Sequence, residues 1–94
     1  LTSKAVEKAA RIQAALQEAG YEVSRHASSM IILAHGRLAA TLHVYPDLCR
    51  LNIYTPWAPQ LSREQEEIAR IIAQHCARLE KNTAPYTPPS QPGQ

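Results

Sequence analysis

Leu38–Thr55 reads LAATLHVYPDLCRLNIYT, two runs of apolar/polar alternation on either side of Pro46-Asp47. A two-residue turn at Pro46-Asp47 sets His43 opposite Arg50, Leu42 opposite Leu51 and Val44 opposite Cys49. One face of this hairpin is then Leu38, Ala40, Leu42, Val44, Cys49, Leu51 and Ile53. The other is Ala39, Thr41, His43, Tyr45, Leu48, Arg50, Asn52 and Tyr54. A slip of one residue would carry every apolar side chain to the wrong face, so the pattern specifies its own register.

Working outward on the N-terminal side, His35-Gly36-Arg37 is a turn into a preceding strand, Ser29–Ala34. Whether the turn is His35-Gly36 or Gly36-Arg37, Ile31 and Leu33 share the face of Leu38 and Ala40. Met30, Ile32 and Ala34 are thereby expected on the outer face. Tyr21–Arg25 reads as a further strand, and a three-residue link through His26-Ala27-Ser28 sets Val23 opposite Ile31. Before it, Ala5, Ala9, Ile12, Leu16 and Ala19 recur at spacings of three and four, which predicts a helix over Thr2–Ala19. Thr2 or Ser3 caps its start. Gly20 suits the left-handed stop, with Tyr21 folding back on Leu16.

On the C-terminal side, Pro56-Trp57-Ala58-Pro59 ends the fourth strand, because prolines cannot continue a ladder. Trp57 is expected as a lid over the open end of the core. Ser62 and Gln65 have capping-box spacing, and Ile68, Ile71, Ile72, His75 and Leu79 trace an apolar stripe, with Cys76 at its margin. A second helix is expected from about Arg63 to Lys81. The terminal TAPYTPPSQPGQ, with four prolines in twelve residues, has the composition of a disordered tail over 83–94. The expected fold is a single α+β domain over 1–82: a two-layer sandwich of a four-stranded antiparallel meander with N- and C-terminal helices, in the order α-β-β-β-β-α.

Composition narrows the function classes. A chain of 94 residues has room for one core. A net charge of +2 and a pI near 8.7 fall short of the basicity that marks a nucleic-acid binder. The longest apolar run, Met30–Ala34, is far below the ~18 residues of a membrane span. No signal peptide is expected at the N-terminus, which is a polar helical pattern. Cys49 and Cys76 belong to no CxxC pair and are expected as free thiols in a cytoplasmic protein.

No catalytic, cofactor or metal site is expected. His26, His35, His43 and His75 lack zinc-site spacing, and adjacent His75 and Cys76 point about 100° apart on a helix. His75 is expected in the core. Three glycines form no phosphate loop, and the sole aspartate, Asp47, belongs to a turn.

The outer sheet face is the unusual feature. It is expected to gather Met30, Ile32, Tyr45 and Tyr54 around His43, Arg50 and Asn52, a mixture of aromatic, Met and Arg residues favoured at interface centres. These seven residues are the candidate partner-binding set. The favoured function is non-enzymatic: a small adaptor, regulator or inhibitor binding protein through this face, a second copy of the chain included. A stand-alone accessory protein of the kind mobile elements encode suits the size. The alternative is single-stranded nucleic acid stacked on Tyr45 and Tyr54. A small enzyme ranks third, and no small-molecule substrate is evident.

Overall fold

A computed structural model describes residues 3–54 and 58–84. Helix α1 spans Lys4–Glu18. Ser3 caps it by accepting the Val6 N–H, at 3.1 Å. Its end is a Schellman motif: Gly20 has φ +102°, and the N–H groups of Gly20 and Tyr21 donate to the carbonyls of Gln17 and Leu16. Ala5, Ala9, Ile12 and Leu16 are buried as expected, whereas Ala19, expected to continue their stripe, is the exposed C-cap.

Strands β1 (Glu22–His26), β2 (Ser29–Ala34), β3 (Arg37–Val44) and β4 (Cys49–Tyr54) follow as an antiparallel meander. The β3–β4 hairpin has the expected register, His43 against Arg50, Leu42 against Leu51 and Val44 against Cys49. Tyr45 N–H closes the turn on Leu48 O at 2.8 Å. The β2–β3 turn is His35-Gly36, both at positive φ (53° and 76°), the backbone that a two-residue type I′ hairpin demands.

The outer-face expectation for β2 is overturned by one residue. Leu33 pairs with Leu38 but Ile32 pairs with Ala40, so Ala39 is an extra residue in β3, a β-bulge. Beyond it every partner of β2 is shifted by one. Met30, Ile32 and Ala34 point inward, at 2%, 0% and 3% exposure, while Ile31 faces out at 47%. Ala39 and Ala40 are both buried. The link from β1 to β2 is the two residues Ala27-Ser28 rather than three, so Val23 meets Ile32 and still packs on the core.

Helix α2 runs from Ala58 to Ala73, not from Arg63 to Lys81. Pro59 occupies its first turn, where the missing N–H is no loss. Ser62 lies inside the helix and does not cap it. Leu61, Gln65, Ile68 and Ile72 form its buried face. His75, expected on the helical stripe, sits in the turn beyond it, half-buried.

The chain then forms a fifth strand, β5 (Leu79–Ala84), parallel to β4. The sheet is therefore five-stranded and mixed, in order β1-β2-β3-β4-β5, rather than a four-stranded meander. A parallel neighbour needs a crossover, and α2 supplies it. Thr83 and Ala84 belong to this strand, which runs two residues past Asn82, where composition alone sets the boundary; Trp57 and 85–94 lie outside the described residues. Cys49 and Cys76, expected as free thiols, form a disulfide that pins the α2–β5 connection to the start of β4. Both helices pack on the same sheet face, against a core that includes Ile12, Leu16, Ile32, Leu42, Leu51, Ile68 and Ile72. The architecture is a compact two-layer α+β sandwich. No described helix is long and apolar enough to cross a membrane.

Candidate functional site

With both helices on one side, no described element covers the other side of the sheet. Pairing arranges its outward side chains in three rows across the strands. The row beside the β3–β4 turn is His26, Ser29, His43, Arg50 and Glu80. The middle row is Ser24, Ile31, Thr41, Asn52 and Asn82. The far row begins with Glu22 and Leu33, passes Leu38 at the bulge and ends with Tyr54. A shallow concavity of about 430 Å³ lies over the first two rows, reaching Tyr54.

Four of the seven expected residues, His43, Arg50, Asn52 and Tyr54, are on this face. Tyr45 stands just past β3, 40% exposed, with the Arg50 guanidinium 5.6 Å from its ring centroid, a cation–π pair. Met30 and Ile32 are in the core instead, for the reason given by the bulge. Their places are taken by Ile31 and Leu33, and His26 and Ser29 complete the first row. The pattern alone carried no sign of this exchange, because the bulge leaves the alternation intact only from Ala40 onward: Ala39, expected outward, is buried, and Leu38, expected on the inner face, moves to the outer one.

The polar members are interlinked. Ser29 Oγ and His43 Nδ1 are 2.8 Å apart. Arg50 Nε donates to Glu80 Oε1 at 3.1 Å, and Arg78 Nη2 reaches the other Glu80 oxygen at 3.5 Å. Glu80 is thus shared by two guanidinium groups, and part of the positive charge expected at the centre of the face is neutralised by a strand that sequence alone concealed.

A second group of polar residues closes one end of the molecule. His35 Nε2 lies 2.9 Å from Glu64 Oε2, and the Tyr21 hydroxyl donates to a Glu67 carboxylate oxygen. They border a hollow of about 220 Å³ with Arg63 and Ala34. The hydrogen bond from His35 holds the Glu64 carboxyl below the usual carboxylate range. Burial, then the bond to Glu67, drives the Tyr21 phenol well above its ordinary value. These contacts latch the β2–β3 turn and the end of α1 onto α2. They bind elements together across 29 and 46 residues.

Among the described residues no group of three His, Cys, Asp or Glu side chains is placed to hold a metal ion. No family model, curated protein or solved structure matches the chain.

Proposed function

We propose that this chain is a protein-binding module, an adaptor, regulator or inhibitor, that works through the outer face of its sheet rather than by catalysis. The observation that carries the reading is the one-sided architecture: the described elements cover the five strands on one face only. One-sided antiparallel sheets normally turn polar residues outward. Among the described residues Ile31 and Tyr45 are the exposed large apolar side chains, and half-buried Leu33, Leu38 and Tyr54 lie in the row beyond Ile31.

The sheet edges are poor alternatives. On β1, Arg25 pairs with inward Met30 and shares its face; on β5, Lys81 pairs with inward Leu51. Inward-pointing charges on edge strands discourage strand addition. The Ser29–His43 pair does not favour hydrolysis. Among the described residues no carboxylate orients the imidazole, and the central-strand N–H groups are engaged in ladders rather than aimed at an oxyanion. Single-stranded nucleic acid is disfavoured by the engagement of Arg50 with Glu80. The disulfide favours an oxidising compartment over the cytoplasm, since such bonds persist there.

The test compares the parent chain with Arg50→Glu and Tyr54→Ala, each checked for folding by circular dichroism. A protein that binds the parent and loses affinity for both variants, with little salt dependence, supports the face. Equal binding by all three moves the contact surface to the helical layer. A nuclease-sensitive ligand whose affinity falls steeply with salt replaces protein with nucleic acid.

A further inference from the structure

We propose that the occupant of this face is a second copy of the chain, in an isologous dimer whose twofold axis runs along the middle row, across the strands. The inference rests on the protein-binding reading and names the partner. Such an axis lays each strand over its own copy and exchanges the first and far rows.

The face is complementary to itself in that arrangement. Ile31 meets Ile31 of the second copy, placing the most exposed aliphatic side chain, at 47%, on an identical apolar surface. Tyr54 meets Arg50, whose guanidinium already lies near one tyrosine ring. Glu22 meets His26, so carboxylate faces imidazole at the rim. An axis along the strands would instead set Ile31 on Asn52 and His43 on His43. Strands of packed sheets cross at about −30°, so the matches are best near the centre, where Ile31 and Thr41 lie.

The size of the face sets the strength. Five strands spaced about 4.8 Å, with three side-chain rows, project an area of roughly 24 by 20 Å per copy. That is about 960 Å² for the two copies together, below the ~1,200 Å² of stable specific interfaces and within the range of weak, transient ones. The dimer is therefore expected to be weak, with a Kd of about 1–100 μM.

Sedimentation velocity on the whole chain over about 1–500 μM, a range chosen to bracket that Kd, is the first measurement. A concentration-dependent dimer is expected, weakened about ten-fold or more by Ile31→Asp. Asn52→Arg, which places a cation against its own copy, is the second variant should the first fail to fold. Ile31→Cys tests the axis. Face-to-face sheets lie about 10 Å apart, beyond direct disulfide reach, so a bis-maleimide of about 8–10 Å span should capture a covalent dimer. The native cysteines are already paired, and only this axis sets the two new thiols opposite each other. A dimer that resists this capture overturns the axis. A chain that stays monomeric throughout overturns self-association but leaves the face available to a different protein. A dimer untouched by both Ile31→Asp and Asn52→Arg forms through another surface, which overturns this inference and leaves the face itself to the Arg50→Glu and Tyr54→Ala comparison.

Discussion

Gln65 is the one buried polar side chain among the described core residues. Its Nε2 donates to Ala39 O at 3.1 Å and to Tyr54 O at 3.0 Å. The first is the carbonyl of the bulged residue, the second the last of β4. One amide therefore ties α2 to the irregularity that sorts β2. Gln65→Leu should cost about 2–4 kcal/mol, because two carbonyls lose their donor in an apolar setting; urea denaturation measures it. A cost near zero would show that the carbonyls find other donors. The latch residues make pH predictions of opposite sense. Glu64 is lowered, so its stabilisation is complete above its ordinary value of 4.5 and is lost as pH falls through the folded value. Thermal melts of His35→Ala should show a shallower loss below that point than the parent. Tyr21 is raised above its ordinary value of 10.0, so the unfolded chain ionises first and stability falls as pH rises past it. The slope approaches ~1.4 kcal/mol per pH unit, and Tyr21→Phe should remove that component.

At the scale of elements, α1 and the central hairpin are locally specified, whereas α2 and β5 depend on distant partners. Residues 74–81 contain no Gly or Pro, and Leu79-Glu80-Lys81 suits a helix as well as a strand. The exposed edge of β4 and the disulfide resolve the choice, with Cys49 N–H donating to Arg78 O at 2.9 Å. Cys49 and Cys76 are 27 residues apart, a loop whose closure stabilises the fold by about 3–4 kcal/mol. Reduction should lower stability by roughly that amount, read in guanidinium denaturation. By hydrogen exchange, β5 amides should then open before those of β3. Unchanged stability on reduction would mean that β5 is held by its ladder alone. Ile72→Ala should cost about 2–5 kcal/mol. Exposed Glu66→Ala should lie within about 0.5 kcal/mol, so similar costs would contradict the buried face of α2.

At the scale of the molecule, adjacent residues of β2 test the two layers. Met30→Asp places a charge in the core and should prevent stable folding, whereas Ile31→Asp should alter stability by about 0.5 kcal/mol or less. The reverse order, in thermal melts of the two variants, would restore the unbulged register. On the proposed reading the same contrast extends to association, where only the outer member of the pair should have an effect.

The sequence by itself determined α1 with its cap and stop, the meander of β1 to β4 and the pairing of β3 with β4. Each rests on neighbours a few residues apart: Ser3 with Val6, Tyr21 with Leu16 across Gly20, an alternation folded about Pro46-Asp47. Four of the seven expected contact residues lie on the outward face because that hairpin register needs nothing else. Only the tertiary structure decided which way Met30, Ile31 and Ile32 point, where α2 begins, that 79–84 form a strand and that Cys49 meets Cys76. In each case the deciding partner is remote in the chain. The bulge is sustained by a glutamine 26 residues away, and β5 by a strand edge 30 residues back. Alternation records which residues are apolar; it cannot record an extra residue whose carbonyl is satisfied from another layer.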